Sequence, residues 1–411
     1  GDHRDLHLSI RRQRQMCIRD RDFIMNEAFI FDSIRSPRGK NKNGSLSQLT
    51  PVDLLSKLML VLEKNHQLDT SLIDDVIIGC VMPVKDQGAN IGKIAAQYSG
   101  WDVDIPSMQI NRCCGSGLEA VNLAAMKIRS GWEDLIVSGG IECMSRVPIG
   151  ADGGPMAFET KVSSRTNYVP QGIGADLIAT IEGFTRQDLD EFALISQEKA
   201  FEAIKNKRFR SMVPLYEQNE LLLIEEDEHV RPNTSLLQLS KLKPAFEKIG
   251  KNGYDDIALQ KYIHIEEIRH LHTAGNSSGI VDGASITLVG SKRNAASQGL
   301  KPRARILSAA TCSTDPTIML QGPAPATKKA LSMANLTIDD IDLIEVNEAF
   351  AAVVLKFMKE MNIDNLKKES FYEIWNGKRL KEFRLLHING KRDKIGPCKN
   401  CDYLKGKGDH D

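Results

Sequence analysis

No stretch of the chain stays apolar over the roughly 20 residues that a bilayer-spanning helix needs, so no transmembrane helix is expected. An excess of one charge is missing as well, since 54 Lys and Arg stand against 54 Asp and Glu. Without a global field, neither nucleic acid nor an anionic membrane is an expected partner, and small molecules are. Cysteine is sparse, eight in 411 residues with two of them adjacent. That spacing does not build a disulfide framework, and it suits a reducing, cytoplasmic location. The length exceeds one ordinary domain, so either two packed units or one large α/β assembly with an insertion is expected.

Residues 1–24 also lack something, an apolar central stretch, while holding six arginines and four aspartates. The first absence argues against a secretory signal, and the aspartates argue against a transit peptide. Met16-Cys17-Ile18-Arg19-Asp20-Arg21 is what the transposon end used in sequencing libraries encodes when translated. Residues 1–24 are therefore expected to be a non-native leader, with Met25 as the start.

What is present is patterned. Ala28 to Ile34 reads as a buried strand, and Pro51 to Lys64 as a helix with Val52, Leu55, Leu58, Met59 and Leu62 on one face. Asp75 to Gly79 reads as a strand. Ile105 to Ile110 reads as another, followed by a small-residue turn, a helix from Ser116 to Arg129 with Leu118, Val121, Ala125 and Ile128 in register, and a strand from Leu135 to Ser138. Such a βαβ unit predicts a parallel sheet covered by helices. Residues 147–270 break the rhythm with charges, scattered prolines and a helix near Arg186 to Ile204, and read as an insertion folded over the sheet. Strand signals return at Ser285 to Gly290 and Ala304 to Ser308, then a helix near Ala324 to Met333 and a strand from Asp342 to Val346. The run from Leu68 to Ile78 is echoed by the run from Leu336 to Ile344, which predicts a duplicated chain. The second copy does not continue as the first does: the last 47 residues carry twelve Lys or Arg against seven Asp or Glu and end near Cys398-Lys399-Asn400-Cys401.

The adjacent cysteines lie in Asn111-Arg112-Cys113-Cys114-Gly115-Ser116-Gly117. A cysteine between a strand end and a helix start meets unpaired N–H groups and the positive end of the helix dipole, which favour a thiolate. Glycines there let a ligand approach the backbone. Taken alone, the pattern equally fits cysteines buried as small hydrophobes.

That stretch, together with Gly139-Gly140-Ile141-Glu142-Cys143-Met144-Ser145, Ala274-Gly275-Asn276-Ser277-Ser278-Gly279 and Asn347-Glu348-Ala349-Phe350, resembles the thiolase family in order and spacing. Glu27-Ala28-Phe29-Ile30 and Arg35-Ser36-Pro37-Arg38-Gly39 fit as well, and the resemblance covers about 25 to 364. It implies an α/β fold of two duplicated halves with an inserted loop domain. The first half would comprise 25–146 and 271–292, the insertion 147–270, and an incomplete second half 293–364. It implies cleavage of a 3-ketoacyl-CoA by CoA, or the reverse condensation, with coenzyme A as substrate and no further cofactor or metal. The intact family member is expected to be a homodimer or homotetramer.

By the same resemblance Cys114 is the nucleophile that carries the acyl group, and Cys113 is a packing residue at the strand end. Asn347 holds a water for one of the two oxyanions the reaction makes, the alternative being a polar turn at a strand end, and the backbone N–H of Cys114 serves the other; Glu348 could pass for a general base but reads as structural. Ser277 and Ser278 lie along the pantetheine arm of CoA, and Arg231 contacts its nucleotide end; the alternative for Arg231 is a solvated charge in a charged stretch. Met144 and Phe350 either line the acyl pocket or belong to the core.

The chain also departs from the family. None of its nine histidines is followed by proline, so the Gly-His-Pro histidine that activates the nucleophile is missing, as is the cysteine in a late glycine-rich turn. Residues 365–411 instead resemble the end of the auxiliary iron–sulfur (SPASM) region of radical SAM maturases, on Glu373-Ile374-Trp375-Asn376-Gly377, Leu385-Leu386-His387 and Gly396-Pro397-Cys398-Lys399-Asn400-Cys401. Two cysteines cannot supply the four thiolates such a cluster usually needs. A thiolase joined to a foreign fragment after Asp364, with impaired turnover, is the resulting expectation. Other readings are a catalytically dead acyl-CoA carrier, a ketoacyl synthase, which Asn347-Glu348-Ala349-Phe350 disfavours, and an iron–sulfur protein.

Overall fold

A computed structural model describes residues 26–217, 219–293 and 298–363. The expectations for residues 1–24 and 365–411 lie outside the described residues.

Nine strands are formed among the described residues: β1 (Ala28–Arg35), β2 (Gly39–Lys40), β3 (Asp75–Gly79), β4 (Ser107–Ile110), β5 (Leu135–Cys143), β6 (Leu215–Tyr216), β7 (Leu222–Ile224), β8 (Val281–Gly290) and β9 (Ala304–Ile306). The longer helices are α1 (Pro51–His66), α2 (Ile91–Tyr98), α3 (Ser116–Ser130), α4 (Gln171–Glu182), α5 (Arg186–Lys205), α6 (Pro323–Met333) and α7 (Ala351–Glu360). Seven strands make one sheet in the order β4-β3-β5-β8-β1-β9, with β2 paired to β8, while β6 and β7 form a separate hairpin.

The expected parallel sheet is only part of the result. β3 runs parallel to β4 and β5, but β8 is antiparallel to β5 and β1, and β9 is antiparallel to β1, so the sheet is mixed. A crossover helix dictates parallel pairing only inside its own βαβ unit. β8 arrives after the long insertion and is free to enter from the other direction.

Alternation along the strands divides the core. Val76 and Ile78 of β3 join Phe29, Phe31, Leu55, Leu58, Met59 and Leu62 on the face covered by α1 and α2, whereas Ile77 faces Ala120, Ala124, Ala125 and Ile128 of α3. α1 is set by its start: the Thr50 hydroxyl accepts the Asp53 N–H at 3.1 Å, the Asp53 carboxylate accepts the Thr50 N–H, and Pro51 occupies the first turn. Val52, expected on the buried stripe, is half-buried, and Leu54 is fully buried in its place. In α3 the expected Leu118 is 69% exposed, and the helix packs on alanines instead. Small side chains let α3 approach the sheet closely, so the stripe that buries best is not the most apolar one.

The insertion does not simply lie over the sheet. α4 and α5 pack with Phe350 to Leu355 at the start of α7, through Ile173, Leu177, Ile178, Leu189, Phe192 and Ile195. The sequence echo is visible in a short 3₁₀ turn, Thr70–Leu72 in one copy and Ile338–Asp340 in the other. The expected strand at 342–346 is irregular, and it joins neither the seven-stranded sheet nor the β6–β7 hairpin. A strand is held by the ladder of a neighbouring strand, and 342–346 is not part of a ladder among the described residues. Among the described residues no helix is long and apolar enough to cross a membrane.

Candidate active site

The parallel strands β3 and β4 end side by side, pairing Gly79 with Ile110, and the chain turns directly into α3. A side chain at Gly79 would lie 2.3 Å from the Ser116 backbone, so only glycine lets α3 begin this close to the sheet. Asn111 anchors the turn by donating to the Val81 carbonyl at 2.9 Å and accepting the Cys113 N–H at 2.8 Å. Ser116 closes it: its hydroxyl donates to the Cys113 carbonyl at 2.6 Å and accepts the Arg112 N–H at 2.9 Å. Cys113 is thereby held at φ +47°, a left-handed conformation uncommon for a side-chain-bearing residue.

Both cysteines are exposed and line one cavity of about 310 Å³ with Arg35, Arg38, Cys80, Glu142, Met144 and β8 residues. The expected packing role of Cys113 is therefore corrected: the left-handed turn rotates it out of the strand end and into the cavity. Burial pushes the Cys113 thiol up, and the neighbouring Cys114 and Asp152 push it further. Cys80 is buried and its thiol is pushed up to about 12, by burial first and the Glu142 carboxylate second, which leaves it protonated and inert. Met144 lines the cavity, while Phe350 is buried in the core between Phe246 and His272.

The cavity walls are tied down by groups the sequence reading passed over. Glu142 accepts the Val81 N–H at 2.8 Å and the Gln87 amide at 2.6 Å, and the fully buried Gln87 accepts the Cys143 N–H at 2.6 Å. Arg35 binds Asp227 through two nitrogens, each at 2.8 Å. Burial alone would raise the Asp227 carboxyl, but hydrogen bonds and charge from Arg35 overrule it and hold the group below its ordinary value. Glu228 receives the Lys40 and Ser45 N–H groups, so the segment before Arg231 is clamped to the 40–45 turn after β2. Glu142 stands inside a motif quoted above; Gln87 and Asp227 carry no local signal, because their partners are distant in sequence.

The remaining expected residues form a second group. Ser278 donates its N–H to the Ala349 carbonyl at 3.0 Å, and Ser277 bridges to Phe350, so the 276–279 loop runs beside Asn347-Glu348-Ala349-Phe350. The Ser277 hydroxyl is buried without a hydrogen-bond partner among the described residues, and Ser278 is exposed. Asn347 is exposed, and Glu348 accepts from Ser196 of α5 at 2.6 Å. Arg231 is exposed and its N–H is held by Gln197 at 2.7 Å. None of Asn347, Ser277, Ser278 and Arg231 lines the cavity around Cys114. Beneath this group Asp176 accepts from His272 at 2.7 Å and pairs with His270 at 2.9 Å, and the Ala352 N–H points at His272 at 3.4 Å.

Comparison with known proteins agrees with this arrangement. Residues 28–253 match the family described as "Thiolase, N-terminal domain" and residues 300–377 match "Thiolase, C-terminal domain". The second match runs past the junction expected after Asp364, and the resemblance of the tail to an iron–sulfur region receives no support from it. The chain is 37% identical over 346 residues to the 3-ketoacyl-CoA thiolase of Pseudoalteromonas translucida, covering 82% of this chain and 83% of that protein. It is 36% identical to the 3-oxoadipyl-CoA/3-oxo-5,6-dehydrosuberyl-CoA thiolase of Escherichia coli, covering 82% and 84%. The crystal structure of the Bacillus anthracis acetyl-CoA acetyltransferase superposes with a TM-score of 0.69 at 30% identity, covering 83% of this chain and 84% of that one. A turn that presents a cysteine at the head of α3 and two domain matches that together span most of the chain lead to one assignment: the chain belongs to the thiolase family.

Proposed function

We propose that the chain is an acyltransferase that cleaves a 3-ketoacyl-CoA with CoA to acetyl-CoA and a shortened acyl-CoA, or runs the reverse condensation, through an acyl group on Cys114. The observation that carries this is the exposed Cys114 at a cavity between the ends of β3 and β4 and the start of α3. Its thiolate attacks the 3-keto carbon, the C2–C3 bond breaks, and the enolate of acetyl-CoA leaves; a second CoA thiol then takes the acyl group from sulfur. Each oxyanion formed needs fixed donors, and Asn347, with a water, and the backbone N–H of Cys114 are assigned to them. Ser277 and Ser278 are assigned to the pantetheine arm and Arg231 to the nucleotide end of CoA. Coenzyme A is substrate and no other cofactor is invoked. The intact parent enzyme is a homodimer or homotetramer in this reading, and the location is the cytoplasm. In domain terms, 25–146 with 271–292, and 293–364, are the two halves, and 147–270 is the insertion.

Turnover is slow in this reading, because no histidine of the chain is followed by proline and the family's base for the nucleophile is missing. A positioned base is typically worth about 100 to 10,000-fold. Acetoacetyl-CoA consumption with CoA, followed together with the extent of Cys114 acylation, tests it: acylation with weak steady-state thiolysis is expected, and robust thiolysis contradicts the slow-turnover claim. A catalytically dead acyl-CoA carrier is the second reading, favoured by the same missing histidine, and it predicts acyl-CoA binding with no acyl group on Cys114. The origin of residues 365–411 is a separate matter, which amplification across codons 364 and 365 from source DNA decides.

A further inference from the structure

Cys113 has no part in the reaction above, yet the turn places it beside the nucleophile in the same cavity. We propose that Cys113 and Cys114 form a peroxide-reactive vicinal dithiol, in which Cys113 captures an oxidised Cys114 as a disulfide and spares it from irreversible oxidation.

The geometry carries this in three parts. Both thiols are exposed and line one cavity wide enough for a small hydroperoxide. Asn111 and Ser116 hold Cys113 at φ +47°, so its side chain is presented to the cavity rather than packed at the strand end. The remaining cysteines nearby are poor competitors, since Cys80 and Cys143 are buried and burial raises both thiols. Cys312 is exposed but does not line the cavity.

With hydrogen peroxide as the oxidant the steps balance without a further reagent. The Cys114 thiolate attacks a peroxide oxygen, an S–O bond forms, the O–O bond breaks, and water leaves after protonation. Cys113 then attacks the Cys114 sulfenic sulfur, an S–S bond forms, the S–O bond breaks, and a second water leaves. Two thiols are oxidised to one disulfide and one peroxide is reduced to two waters. Burial is the larger reason the Cys113 thiol is raised, but the Cys114 charge is the next. Adjacent Cα atoms lie about 3.8 Å apart across a trans peptide, closer than the usual 4.4–6.8 Å of bridged cysteines, so a dithiol reductant is expected to reopen the bond readily.

The test is a pulse of hydrogen peroxide on the full chain, at a concentration too dilute for crosslinks between chains, read by peptide mass with and without dithiothreitol. The wild type is expected to lose two hydrogens within the peptide holding both cysteines and to regain them with dithiothreitol. Cys113→Ser is expected instead to accumulate Cys114 sulfinic acid that dithiothreitol does not reverse. A Cys114→Ser chain whose Cys113 oxidises as fast as the wild-type pair, a crosslink from Cys114 to Cys80, or equal sulfinic acid in wild type and Cys113→Ser would each overturn the proposal. The proposal takes the reactivity of Cys114 from the function above; acyl capture is scored separately, so failure of one is not failure of the other.

Discussion

At the scale of single residues, chemistry is separated from packing by a turn of a few atoms. Cys113 and Cys114 are neighbours with the same thiol, and what distinguishes them is that the polypeptide passes through a left-handed conformation at one and enters α3 after the other. Cys114 is the residue whose loss should remove acyl transfer, and Cys113→Ser should leave acylation of Cys114 intact. Asn347→Ala tests the proposed oxyanion role: with that role turnover is expected to fall by about 100 to 1,000-fold while CoA affinity, measured by calorimetry, is unchanged. An equal loss of affinity would move Asn347 from the chemistry to the binding surface.

At the scale of elements, α1 and the contact between the insertion and α7 bear the most on stability. Leu58 is fully buried against the sheet, and Leu58→Ala is expected to cost about 2–5 kcal/mol in denaturant unfolding. Removing the Thr50 cap with Thr50→Ala is expected to cost about 1 kcal/mol. The segment between the insertion and β8 carries a pH dependence. His270 is bonded by Asp176 on α4 and, against its own burial, by Asp255 at the start of the short helix Asp255–Lys261, and the net effect raises it above its ordinary value. Glu247 also faces it. A raised folded value contributes fully below the unfolded value of 6.5 and is lost as pH rises through the folded one. Melting temperature is therefore expected to fall on the alkaline side, and His270→Phe should flatten that limb. Asp227 acts in the opposite sense: its lowered carboxyl stabilises the cavity rim above its unfolded value and is lost as acid protonates it.

At the scale of the whole molecule, the parts legible in the sequence are those whose cause is local. α1 and α3 announce themselves by apolar spacing, and the observed bounds of α1, α3 and α5 lie within two residues of those expected, fixed at Thr50 and Thr185 by local capping boxes. The cysteine turn was legible because its glycines and Asn111 act within a few residues of one another. What was not legible depends on distant segments. The antiparallel entry of β8 pairs Leu135 with Gly290, and no pattern at either residue records that choice. Gln87 and Asp227 look like ordinary surface residues until Cys143 and Arg35 are brought to them. The irregular 342–346 segment has strand-like composition, but composition does not supply a neighbouring strand.

Whether Cys114 carries the acyl group is read by intact-mass and peptide mapping after incubation with acetyl-CoA. One acetyl group per chain is expected, on the peptide containing Cys114, released by added CoA and absent from Cys114→Ala. An unmodified Cys114 in a chain that binds acetyl-CoA, or an acetyl group that persists in Cys114→Ala, would contradict it.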